Sequence, residues 1–170
     1  IDMMCCRKVL VDNAFLRTGD DCIALYNHRW NWWGGSSDIT VRNSVLWADV
    51  AHPINIGGHG DPDSLTGEVI ENLTFHNIDI LEHDEDDRRF YVKVRFNPKY
   101  DKQPGNGIEG ITFRNITYTG VGENASLVQG LDKNKCVRNV VFDSIIINGV
   151  KMKHLKGIIK NEFIEDIEIK

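Results

Sequence analysis

Ile39-Thr40-Val41-Arg42-Asn43-Ser44-Val45-Leu46 sets apolar residues at alternate positions, breaks at an asparagine and resumes with a second short apolar run. The same spelling stands upstream as Val9-Leu10-Val11-Asp12-Asn13-Ala14-Phe15-Leu16. It returns downstream as Leu73-Thr74-Phe75-His76-Asn77-Ile78-Asp79-Ile80, as Ile111-Thr112-Phe113-Arg114-Asn115-Ile116-Thr117-Tyr118 and as Val140-Val141-Phe142-Asp143-Ser144-Ile145-Ile146-Ile147. A worn copy is Ile164-Glu165-Asp166-Ile167-Glu168-Ile169. Alternation at period two in β-branched and aromatic residues means strands. Asn13, Asn43, Asn77 and Asn115 stand 30, 34 and 38 residues apart, a solenoid period with loop insertions rather than a hairpin spacing. A unit of two or three short strands cannot bury its apolar face alone, so stacked units share one core and their asparagines can ladder at a bend. An antiparallel sandwich would instead show turn signals every eight to twelve residues. The expected fold is therefore all-β, a right-handed parallel β-helix in one domain over residues 1–170. The faintest helical hint is Leu155-Lys156-Gly157-Ile158-Ile159-Lys160, which contains glycine.

The composition fits one globular unit with a sizeable core: 41% apolar, 26% charged, formal charge −5. No Lys/Arg run supplies the positive footprint that nucleic acid or an anionic membrane requires, so neither is expected as a partner. No apolar stretch approaches the roughly 20 residues that span a bilayer. Ile1-Asp2-Met3-Met4-Cys5-Cys6 has neither the basic start nor the apolar middle of a secretory signal and reads as the inside of a domain. Cys5, Cys6, Cys22 and Cys136 match neither a metal-site spacing nor a dense disulfide framework, and read as buried thiols. No metal site is expected.

Chemistry concentrates in a few places. Thr18-Gly19-Asp20-Asp21-Cys22-Ile23-Ala24-Leu25 sets two carboxylates side by side after a glycine, between two strands. Neighbours on a straight strand point to opposite faces, but at a bend both can converge on one groove, where repulsion raises the pKa of one. A protonated carboxyl beside an ionised one is the equipment of glycosidic cleavage; taken alone, such a pair is more often a solvated turn or a calcium ligand pair. His52, in His52-Pro53-Ile54-Asn55-Ile56-Gly57, occupies the matching region one coil on, where coils stacked about 4.8 Å apart bring it beside the aspartates. Lys93 and Arg95 share one strand face at i and i+2, a pair able to hold a hydroxyl-rich or anionic sugar. His28-Arg29-Trp30-Asn31-Trp32-Trp33-Gly34-Gly35 holds three of the four tryptophans. Trp30, Trp32 and Trp33 are a candidate platform for the apolar faces of sugar rings, with packing over the solenoid side as the alternative. The acidic run Glu82-His83-Asp84-Glu85-Asp86-Asp87 reads as a solvated loop. Asn-x-Thr/Ser triplets start at Asn72, Asn115 and Asn124, two of them inside the repeat.

Together these motifs resemble glycoside hydrolase family 28, the polygalacturonase family, over nearly all of the chain. Asp20-Asp21-Cys22-Ile23-Ala24 matches its Asp-Asp-Cys-Ile/Val-Ala motif, at the family's usual spacing from Ile1-Asp2, which is similar to its Phe/Ile-Asp pair. His52-Pro53-Ile54-Asn55-Ile56-Gly57 resembles its histidine run, with the histidine in register. The literal Gly58-His59-Gly60 falls seven residues too late for His59 to be the equivalent. Lys93-Val94-Arg95 resembles the Arg-Ile-Lys motif with the basic residues exchanged. The resemblance implies inverting hydrolysis of a pectic or related polysaccharide, Asp20 as general acid, and Asp21 activating water jointly with an aspartate of an Asn-Thr-Asp motif. It implies that His52 tunes the acid, that Lys93 and Arg95 bind sugar, that no cofactor is used, and that the protein is secreted or periplasmic. The Asn-Thr-Asp motif belongs just before Ile1, so the chain is expected to be the C-terminal portion of a longer catalytic domain whose N-terminal coils are missing. Readings from other classes are a non-catalytic carbohydrate-binding β-helix, a dextranase-like hydrolase and a polysaccharide lyase.

Overall fold

A computed structural model describes residues 1–57, 69–83, 88–101 and 103–170. Its strands are β1 (Asp2–Met4), β2 (Arg7–Asp12), β3 (Phe15–Thr18), β4 (Ile23–Tyr26), β5 (His28–Arg29), β6 (Trp32–Trp33), β7 (Ser36–Ala48) and β8 (Ile54–Ile56). They continue as β9 (Ile70–Glu82), β10 (Phe90–Lys93), β11 (Ile108–Tyr118), β12 (Ser126–Gln129), β13 (Val137–Ile147), β14 (Val150–Lys151), β15 (Ile158–Lys160) and β16 (Ile164–Ile169). Among the described residues there is no α-helix. The helical hint becomes a three-residue 3-10 turn at Leu155–Gly157, with β15 immediately behind it.

The strands form two parallel sheets. In a short-stranded sheet the order is β1-β4-β8-β10-β12-β15; in a long-stranded one it is β14-β13-β11-β9-β7-β2, with β3 on β7 and β16 on β13. From β7 to β13 the chain alternates between the sheets, and each strand pairs with its counterpart one circuit later. Ile39 lies beside Leu73, Leu73 beside Ile111, and Ile111 beside Val140. The only antiparallel pairs among the described strands are β13 with β14 and the small hairpin of β5 and β6.

The long strands bend twice. At the first bend Lys8, Asp38, Asn72, Gly110, Asn139 and Asp166 all have positive φ; at the second Asn13, Asn43, Asn77, Asn115 and Ser144 do. Asparagine tolerates the left-handed region because its short amide bonds locally. Here the amides also bond to one another. Asn77 Nδ2 donates to Asn43 Oδ1 at 3.0 Å and Asn115 Nδ2 to Asn77 Oδ1 at 2.8 Å. Between the bends the alternating residues turn inward: Phe75, Phe113 and Phe142 are fully buried. Phe113 stacks on both neighbours, at 5.2 and 5.0 Å between ring centroids. Phe90 enters from the short-stranded sheet and meets Phe113 at 4.7 Å. Burial and ring geometry thus join the two sheets through one core.

Cys22 and Cys136 are buried, while Cys5 and Cys6 are half-buried. Asn72 and Asn115 of the Asn-x-Thr triplets serve the bends. No helix among the described residues is long and apolar enough to cross a membrane.

Candidate active site

Asp20 and Asp21 sit in the corner that leads from β3 in the long-stranded sheet to β4 in the short-stranded one. The corner rests on the equivalent corner of the next circuit: Cys22 N–H donates to the His52 carbonyl at 3.0 Å and Ile23 N–H to that of Pro53 at 3.1 Å. Stacking of corners therefore brings His52 to the aspartates, as its one-coil offset predicts.

Asp21 is held on both oxygens. Its Oδ1 accepts from the His52 main-chain N–H at 2.9 Å, and its Oδ2 accepts from Asn55 Nδ2 at 2.6 Å, with the Tyr26 hydroxyl at 3.4 Å. Burial pushes the Asp21 carboxyl above the ordinary aspartate range, against the opposing effect of the Asn55 and His52 donors. Asp20 is exposed, and its Oδ1 accepts from the Asp21 N–H at 2.9 Å. One carboxylate is embedded and oriented; its neighbour faces water.

The face of the short-stranded sheet assembles the rest. Asp2 lies beside Ala24, Ala24 beside Asn55, and Asn55 beside Tyr91, one residue from each of four successive strands. In a sheet such neighbours share a face. A cleft of about 200 Å³ opens here, walled by Asp2, Asp20, Asp21, Tyr26, Asn55, Arg95 and Tyr100. Gly57 follows Asn55 and Ile56 at φ 81°, where a Cβ would come within 2.8 Å of the Lys93 carbonyl. Only glycine lets β8 and β10 approach this closely.

His52 enters the site by two routes. Besides its N–H on Asp21, its ring stacks on Tyr91 at 4.5 Å with 13° between the planes. Its Nδ1 lies 3.0 Å from the Arg88 N–H and 3.2 Å from the Arg88 carbonyl, so it accepts from the first when bare and donates to the second when protonated. Ala51, the preceding residue, takes φ 67°, an uncommon conformation for a residue with a Cβ. Arg95 reaches the same column, donating through Nη1 to the Tyr91 hydroxyl at 3.1 Å with its guanidinium 5.6 Å over the ring.

Asp20, Asp21 and Arg95 thus share one cleft, with His52 bound to it through Asp21 and Tyr91. Lys93 lies on β10 opposite Gln129 and is not a wall of the cleft. Trp30 and Trp32 stand on the β5–β6 hairpin, 68% exposed, also away from the cleft wall. The side chain of Trp33, His59 with its flanking glycines, and residues 84–87 of the acidic run lie outside the described residues. The hairpin is nevertheless tied to the cleft. His28 Nδ1 lies 3.4 Å from Asp101 Oδ1, both side chains buried, and Asp101 follows the wall residue Tyr100. Among the described residues no cluster of His, Cys, Asp or Glu is arranged to hold a metal.

Tyr26, Asn55, Tyr91 and Tyr100 were not apparent as site residues from sequence. The first three carry a faint signal: Asn55 lies inside the His52–Gly57 run, and Tyr26 and Tyr91 lie on outward positions of strands adjoining the motifs. Tyr100 carries none, because its place depends on a loop.

Residues 1–169 match the model for glycosyl hydrolases family 28. The chain belongs to that family. An exopolygalacturonase from Oenothera organensis is 27% identical over 153 residues, covering 88% of this chain and 36% of the relative. The chain thus spans about a third of that relative's length. No solved structure gives a significant match.

Proposed function

We propose that this family 28 chain is the C-terminal portion of a longer catalytic domain, a right-handed parallel β-helix that cleaves glycosidic bonds of a pectic or related polysaccharide with inversion. The observation that carries this reading is the pair of adjacent carboxyls in contrasting settings on one cleft. Asp20 faces the space a leaving oxygen would occupy and serves as general acid. Asp21 serves as base toward water. Two N–H donors keep it an acceptor while burial makes it more basic than a free aspartate, the combination that general-base chemistry favours. His52 acts on Asp21 through its main-chain N–H. Arg95, fixed by Tyr91, orients the sugar at the cleavage point, and Lys93 holds it farther along β10.

A family 28 hydrolase of this kind works outside the cytoplasm, secreted or periplasmic, where its polymer is. The exposed Trp30 and Trp32 favour an added role in carbohydrate binding, since flat aromatic faces stack on sugar rings. If they sufficed, the protein would bind glycans without turning them over. The test is release of reducing ends from pectic and other plant glycans by the full-length protein and its Asp20→Asn variant. The expected loss is about a thousandfold; equal rates would overturn the reading.

A further inference from the structure

Asn55 is an unusual occupant of its strand. It lies between the fully buried Ile54 and Ile56 in the middle of the short-stranded sheet, where asparagine is disfavoured. It is itself 6% exposed, yet it is one wall of the cleft. Its Nδ2 donates to Asp21 Oδ2 at 2.6 Å, and its Oδ1 is buried with no hydrogen-bond partner. The charge on Asp21 fixes which end of the amide faces which way, because the reverse orientation would press a carbonyl against an ionised carboxylate. Neither neighbour along the face satisfies the orphan oxygen: Ala24 has no polar side-chain atom, and the Tyr91 hydroxyl, which accepts from Arg95, makes no hydrogen bond to it. A buried acceptor left unpaired is costly, and the group that can reach one in a cleft wall is a ligand's donor.

We propose that Asn55 is both a positioning residue for Asp21 and a substrate contact: one amide hydrogen fixes the carboxylate at the cleft wall, and the unpartnered carbonyl receives a hydroxyl of the bound sugar. A sugar hydroxyl donates and a sugar carboxylate does not, so the group lodged at this point of the cleft is a hydroxyl. The inference rests on the hydrolase reading above.

Two variants separate the halves. Asn55→Asp keeps an acceptor oxygen in the same place but removes the donor; Asn55→Ala removes both. In the full-length protein the acidic limb of the pH–rate profile is expected to move to higher pH in both variants. Losing the donor weakens the ionised form of Asp21, and in Asn55→Asp a second carboxylate opposes it further. KM is expected to rise about tenfold in Asn55→Ala and to stay near the parent value in Asn55→Asp measured above the acidic limb. A residue with a merely structural role would lower the melting temperature and leave the limb in place. An unmoved limb in both variants, or an unchanged KM in Asn55→Ala, overturns the proposal. Turnover that ignores Asp20→Asn overturns the hydrolase reading instead. In that case carbon-13 NMR titration of the Asp21 carboxyl, in parent and Asn55→Ala, still decides the positioning half: an upward move supports it and no move overturns it.

Discussion

The two parallel sheets share one core but treat their polar side chains in opposite ways. Along the asparagine row of the long-stranded sheet like bonds to like, Asn115 to Asn77 and Asn77 to Asn43. In the short-stranded sheet unlike groups meet, Asp21 with Asn55, the His52 main chain and Tyr26. A repeat of sequence lets the amides of adjacent circuits bond to one another. Where the repeat fails, charges and acceptors face a cleft. Stability is thus concentrated in the self-similar face and chemistry in the irregular one.

That contrast can be broken most forcefully at the phenylalanine column. Phe113→Ala is expected to cost about 4 kcal/mol, since a buried ring leaves a cavity its stacked neighbours cannot close. Chemical denaturation read by circular dichroism checks it, and a cost under about 1 kcal/mol would show that the sheets are joined elsewhere. A smaller loss, about 2 kcal/mol by the same measurement, is expected of Asn77→Ala, which leaves an unfavourable left-handed residue and severs the amide ladder on both sides.

Asp21 tests the other sheet, with the opposite sign. Its carboxyl holds the proton more tightly in the folded chain than in the unfolded one, so between the two pKa values the folded state carries more protons and loses stability as pH rises. Asp21→Asn abolishes this dependence. Its melting temperature relative to the parent is expected to climb as pH passes upward through the carboxylate range, while hydrolysis falls about a thousandfold. A flat difference in melting temperature would mean that Asp21 is not burdened by burial. The smallest effect is expected at Arg42→Ala. The Arg42–Asp12 ion pair is on the surface, and its loss should be lost in the scatter of a melting experiment.

The same contrast explains what could be read from sequence. The alternating strands and the row of Asn13, Asn43, Asn77 and Asn115 were legible because each circuit repeats the previous one's chemistry. The other bend was not, although it is as regular in space: Lys8, Asp38, Asn72, Gly110, Asn139 and Asp166 share a backbone conformation but no side-chain type. At the site, Asp20, Asp21 and His52 stood in short motifs. Asn55 stood in one too, but its role depends on a partner 34 residues away and on an oxygen that nothing satisfies. Tyr91 shows its role only when its ring is seen between His52 and Arg95.

The row of asparagine bends also sets the terms on which this scaffold can change. Successive amides stay in contact although the chain between them runs 34 residues in one circuit and 38 in the next. The ladder works like the spine of a ring binder: pages of different size hang from the same holes. Residues inserted on the cleft side can therefore lengthen a wall, add a hairpin such as β5–β6 or carry in a new aromatic, while the asparagine side stays in register.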